Sequence, residues 1–212
     1  MLTLCWSAKG GSGTTSVAAA LALANDRPTL LIDLAGDLAT ALGLPDSDLP
    51  QLHDWLASQA PADRLAHLER PVVSNVSLVP SPEPITRRSY TERWHALAAH
   101  LRRQAPHRDV IVDAGTGEPP AALAAGADRS LLVTRPCYLS LRRAARIAAR
   151  PTGVVLIDEP GRALSSDDVA AALGAPVVAT LLLDPKIARA IDSGLLVSRL
   201  PHACILELRA AS

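Results

Sequence analysis

Residues 8–16 read Ala-Lys-Gly-Gly-Ser-Gly-Thr-Thr-Ser, after the apolar run Leu2–Trp6 and before Val17-Ala-Ala-Ala-Leu-Ala-Leu-Ala. An extended run, a glycine-rich loop and a helix in that order make a phosphate cradle. Backbone N–H groups of Gly10, Gly11, Ser12, Gly13, Thr14, Thr15 and Ser16 turn toward phosphate oxygens, and the helix directs its positive end at them. In the usual frame, Ala8 opens the motif, Gly13 closes it, and Thr15 supplies the hydroxyl that reaches Mg²⁺. The lysine that grips the β- and γ-phosphates is replaced by Thr14. A competing reading is a tight strand-to-helix turn that needs glycine for its backbone alone.

Lys9 argues for chemistry. The chain has two lysines, Lys9 and Lys186, and arginine is otherwise its cation. Carboxylates add a second constellation. Asp33 ends the apolar run Thr29–Asp33, and Asp113 ends Val110–Asp113. Carboxylates at two neighbouring strand tips hold Mg²⁺ through its waters and orient an attacking water. Taken singly, each aspartate also reads as the cap of a turn. Asp158, at the end of Val154–Ile157, is a candidate base-reading group; Asp158-Glu159-Pro160-Gly161 reads equally as a turn.

Positioning these groups requires strands and helices in alternation. Strands are predicted at Leu2–Trp6, Thr29–Asp33, Val76–Val79, Val110–Asp113, Ser130–Thr134, Val154–Ile157 and Val177–Leu182. Most are continuously apolar, as befits strands covered on both faces. Helices are predicted at about 15–25, 52–69, 90–104, 119–125, 139–150, 165–173 and 185–193, with starts near Ser165 and at Asp184-Pro185. The pattern predicts one doubly wound α/β domain over residues 1–212, its sheet mostly parallel, with ligand at the carboxyl ends of the strands.

The chain has 212 residues, no net charge and three scattered cysteines. Zero charge gives no global pull toward nucleic acid or membrane. Cys5, Cys137 and Cys204 form neither a disulfide framework nor a metal spacing, which points to a reducing, cytoplasmic setting. No apolar run approaches the roughly 20 residues of a spanning helix, and the start lacks the basic, apolar profile of a signal peptide.

Lys-Gly-Gly-x-Gly-x-Thr at 9–15 resembles the deviant Walker A motif of the ParA/MinD superfamily of P-loop ATPases. The resemblance runs on through LLIDLAGDLATALGL (30–44), RDVIVDAGTG (108–117), ADRSLLVTRPCYLSLRRAARI (127–147) and GAPVVATLLLDPKIARAIDSGLL (174–196). It is closest in flavour to the CpaE/TadZ pilus-assembly branch, which includes degenerate P-loops. The resemblance implies an ATP- and Mg²⁺-dependent homodimer that works with protein partners of a positioning or assembly system. Lys9 would reach the partner's phosphates, Asp33 would serve hydrolysis and metal, and Asp113 would hold metal on the Walker B strand. Relatives carry a second carboxylate two residues after Asp33; here that position is Ala35, with Asp37 as an alternative if the loop is short. Loss of both the lysine and this carboxylate predicts weak or absent hydrolysis. Two other readings stay open: a pseudo-ATPase scaffold that binds no nucleotide, and an active DNA-partition ATPase.

DNA is the less favoured partner. If residues 139–150 are helical, Arg142, Arg146 and Arg150 share one face, with Arg143 beside them; Arg87-Arg88 and Arg102-Arg103 are weaker patches. The tail from Gly194 carries only Arg199 and Arg209 as cations, so it is expected to pack onto the domain rather than insert into a membrane.

Overall fold

A computed structural model describes residues 1–86 and 89–210, the last by its backbone alone. Eight strands form one sheet: β1 (Leu2–Ser7), β2 (Thr29–Asp33), β3 (Arg70–Val73), β4 (Val76–Val79), β5 (Asp109–Thr116), β6 (Arg129–Thr134), β7 (Gly153–Asp158) and β8 (Val177–Leu182). Their order is β3-β4-β2-β5-β1-β6-β7-β8, and every pairing is parallel except β3 with β4. The helices are α1 (Thr14–Ala24), α2 (Leu38–Ala41), α3 (Leu52–Ala57), α4 (Thr91–Gln104), α5 (Ala121–Gly126), α6 (Tyr138–Ala144), α7 (Ser166–Leu173), α8 (Pro185–Asp192), α9 (Leu196–Arg199) and α10 (His202–Ala210). A 3₁₀ stretch covers Ala62–Leu68. This is the single-domain, mostly parallel α/β fold expected from the alternation of elements.

Side-chain alternation divides the core between the two sheet faces. Leu2, Leu4 and Trp6 of β1 and Val110, Val112 and Ala114 of β5 pack with α4 and its neighbours, while Cys5 and Ile111 pack with α1. Central strands buried on both faces explain why their sequences lack a polar alternate residue. Trp6 is fully buried, and its indole N–H donates to Ser130 Oγ at 2.9 Å, so the ring carries no unmet donor into the core.

All seven predicted strands are present, and β3 adds an eighth. It is an edge strand joined to β4 through a two-residue turn at Ser74-Asn75, and Pro71 is tolerated there because an edge need not donate outward. The single helix expected over 52–69 is interrupted: α3 ends at Ala57, and the chain resumes as 3₁₀ beyond Pro61. The helix expected over 139–150 ends at Ala144. Beyond it, Arg146 N and Ile147 N donate to carbonyls three residues back, and Ala148 N donates to Glu118 Oε1. Arg142, Arg146 and Arg150 therefore do not form one helical stripe, which corrects the expected cationic face; Arg87-Arg88 lies outside the described residues.

The tail packs as expected. Leu208 of α10 is fully buried against α1, and Arg209 Nε donates to Ala24 O at 2.7 Å while its Nη2 pairs with Asp26 at 2.6 Å. Among the described residues, no helix is long and apolar enough to cross a membrane.

Candidate functional site

The glycine loop lies between β1 and α1, and its shape comes from two left-handed residues. Gly11 has φ 74°, and Gly13, the residue that caps α1, has φ 90°. Side chains rarely adopt these angles, so the loop's curvature depends on glycine there. Ser12 is buried and its Oγ donates to Lys9 O at 2.7 Å, which closes the loop on itself. The first-turn amides of α1 have no partner within the helix and face outward with its positive dipole end.

Beside the loop lies a cavity of about 580 Å³, a size suited to a nucleotide-like ligand. Gly11, Ser12, Gly13, Thr14 and Thr15 form one wall, Leu34, Ala35 and Asp37 a second, and Ala114, Gly115 and Thr116 a third. Pro84 and Ile85 close the outer side. Gly36 (φ 85°) lets the second wall meet this outer segment: a Cβ there would lie 2.7 Å from Glu83 Cα. A second cavity, about 260 Å³, opens on the other flank of the loop and shares Ser12 and Gly13 with the first; Ser16 also lines it.

The first cavity's wall contains no lysine or arginine. Thr14 lies in it, 6% exposed, where the usual motif would place an ammonium group. Charge for a polyanion must then come from amides, from the helix end and from any bound cation.

Asp33 and Asp113 occupy register-paired positions at the ends of β2 and β5, both fully buried. The expectation that two carboxylates sit together beneath the loop is thus met in position. Neither lines the cavity itself. Asp33 Oδ1 accepts from Ala35 N (2.9 Å) and Gly36 N (2.7 Å), and Oδ2 accepts from Leu38 N (3.0 Å). It anchors the loop that carries Ala35 and Asp37, the turn-cap reading of this residue. Asp113 Oδ1 accepts from Gly115 N at 2.9 Å. Burial first, and then the Asp113 charge, push the Asp33 carboxyl up to about 7, although the three amide bonds oppose the rise. Cys5, register-paired with Asp113 on the other side, has its thiol pushed up chiefly by burial.

The carboxylate that does face the cavity is Asp37, which is exposed and lies in the wall next to Ala35. Asp158, at the tip of β7, lines neither cavity, and Glu159 beside it pairs with Arg162 across the turn. Thr116 and Ile85 were not read from the sequence. β5 was expected to end at Asp113 but continues to Thr116, whose hydroxyl lies 3.3 Å from Ser7 Oγ at the loop's entrance.

No family model and no curated protein matches the sequence. Solved structures do match in shape. MinD in the MinC:MinD cell division complex of Aquifex aeolicus superposes with a TM-score of 0.81 at 20% identity, over 99% of this chain and 93% of that one. MinD with Mg-ADP from Pyrococcus horikoshii gives 0.77 at 20% identity, over 99% and 93%. A ParA-family ATPase from Chlorobium tepidum gives 0.71 at 21% identity, over 99% and 96%. The chain has the MinD and ParA fold. At these identities the likeness establishes architecture across the whole chain, and the MinD/ParA fold places the glycine loop and the two aspartates at its carboxyl strand ends.

Proposed function

We propose that this chain is a nucleotide-dependent, dimerising positioning protein of the ParA/MinD superfamily, CpaE/TadZ-like, with weak or absent hydrolysis. The observation that carries it is the cavity of about 580 Å³ against the Gly11–Thr15 loop, in a fold that matches MinD over 99% of the chain. One of those structures holds Mg-ADP, and another, McdA from Cyanothece, is an ATP complex.

In this reading Gly10, Gly11, Ser12, Gly13, Thr14 and Ser16 hold phosphate oxygens through backbone amides, and Thr15 meets Mg²⁺. The metal would offset part of the triphosphate charge in a cavity with no cationic side chain of its own. Asp33 and Asp113 stand behind it, and Asp33 also fixes the loop bearing Ala35. A water-orienting carboxylate at 35 is absent, and so is a phosphate lysine at 14. Orientation and charge stabilisation, the main sources of phosphoryl-transfer catalysis, are therefore both reduced.

The non-nucleotide scaffold reading draws on the same cation-free wall. The DNA-partition reading loses its main sequence argument with the broken arginine stripe.

Lys9 is assigned to the partner's phosphates across the dimer. It makes no ion pair among the described residues. Sedimentation velocity should show ATP–Mg²⁺ shifting the wild type toward dimer, and Lys9→Ala abolishing that shift while calorimetric ATP affinity changes less than about threefold, as expected of a group that acts across the interface. A dimer that forms without nucleotide and ignores Lys9→Ala would contradict the role.

A further inference from the structure

Among the described residues, three arginines bury their Nε without a hydrogen-bond partner: Arg93, Arg108 and Arg135. Two of them use the rest of the guanidinium. Arg93 Nη2 donates to Trp55 O and Ala60 O, and its group lies over the Trp55 ring; Arg108 pairs with both Glu69 oxygens. Arg135 does neither. Its side chain makes no hydrogen bond or ion pair with any described residue, so a half-buried cation stands in the protein without an anion. Desolvating a charge without a partner is costly, and such a group is best explained by a ligand that completes it.

Its location indicates which ligand. Arg135 follows directly on β6, the strand parallel to β1 with Trp6 opposite Leu132. The residue therefore emerges abreast of the glycine loop as both strands end. Its side chain lines the 260 Å³ cavity together with Ser12, Gly13 and Ser16, which belong to that loop and to the first turn of α1. The carboxylate in the same wall, Asp184, is engaged elsewhere: its Oδ1 accepts from Lys186 N at 2.8 Å as the cap of α8. The backbone of Arg135 is held in place, its carbonyl accepting from Cys137 N (2.7 Å) and Thr134 Oγ1 (3.3 Å).

We propose that Arg135 is a phosphate-binding residue of the nucleotide site, supplying from β6 the positive charge that position 14 lacks. The ligand class is a nucleoside di- or triphosphate, and the proposal rests on the nucleotide-binding reading above. A guanidinium offers a fork of donors that matches phosphate oxygens and stays charged at all working pH values. It approaches from the flank opposite Thr14, so it complements the amide cradle rather than filling the space of the missing lysine.

The test is calorimetric titration of wild type, Arg135→Gln and Arg135→Met with ADP–Mg²⁺, alongside urea unfolding of each protein without nucleotide. Both substitutions remove the charge; Met keeps an apolar stem against a wall that is mostly Leu, Ile and Val, and stands in should Gln fail to fold. We expect affinity to fall about 10- to 100-fold in either variant, in the range of a charge-assisted hydrogen bond, with the unfolding midpoint unchanged. Wild-type binding matched by a folded variant would overturn the role of Arg135 and leave the nucleotide reading standing. No binding by wild type would overturn that reading, and this assignment with it.

Discussion

Thr14→Lys will tighten ATP–Mg²⁺ binding by about 10- to 100-fold, the scale of one hydrogen bond to a charged group, while raising turnover far less. Thr14 lies in a cavity wall with no other cation, so an ammonium there meets phosphate unopposed. That contact is made in the ground state and the transition state alike, and uniform binding does not raise kcat. Ala35 lines the same cavity from the opposite wall, on the loop that Asp33 fixes. A carboxylate at 35 would orient water, which matters chiefly in the transition state. Thr14→Lys with Ala35→Asp will therefore turn over faster than either single variant. Steady-state phosphate release and ATP affinity, measured for all four proteins, check both statements. Robust hydrolysis by the wild type, lost in Asp33→Ala, would contradict the account of a weakened site.

The second large effect is on stability. The Asp33 carboxyl sits near 7 in the folded protein against 3.8 ordinarily. Between those values the folded state binds the extra proton, so stability is greatest below about 4 for this group and falls as pH rises through 7. The full loss is on the order of 4 kcal/mol, at 1.36 kcal/mol per unit. Burial causes the larger part and the Asp113 charge the smaller. Asp113→Asn keeps an oxygen for Gly115 N but removes the charge. Urea unfolding between pH 6 and 8.5 should show wild-type stability declining with pH, and Asp113→Asn declining less and standing about 1 kcal/mol higher at pH 8. His100 gives the opposite slope: burial lowers its pKa, so its penalty appears as pH falls below about 6.5. Superimposable profiles for the two proteins would contradict the coupling of the aspartates.

The strands were legible because a doubly covered sheet leaves an unmixed apolar signature, as in Leu30–Ile32 and Val110–Val112. The glycine loop was legible because its backbone needs fixed glycine positions. What the sequence hid depended on tertiary contacts. Ala-rich helix propensity over 139–150 gave no sign that Glu118 would take the Ala148 amide and that the helix would stop at Ala144. Asp33 read as a metal carboxylate, yet its three amide bonds come from the turn of the following loop, a geometry spacing does not reveal. Asp37, kept only as an alternative, faces the cavity because that loop turns back at Gly36. Arg135 was invisible among many arginines; only burial without a partner singles it out.

The central claim is that the cradle binds a nucleotide and scarcely hydrolyses it. Calorimetric titration of the wild-type chain with ATP–Mg²⁺, ADP–Mg²⁺ and GTP–Mg²⁺, with phosphate release followed in the same samples, tests it directly. The account predicts saturable binding of ATP and ADP at one site per chain, with phosphate release near background. Absence of binding at millimolar nucleotide, with the protein folded, would contradict it and leave the fold as a scaffold without a nucleotide.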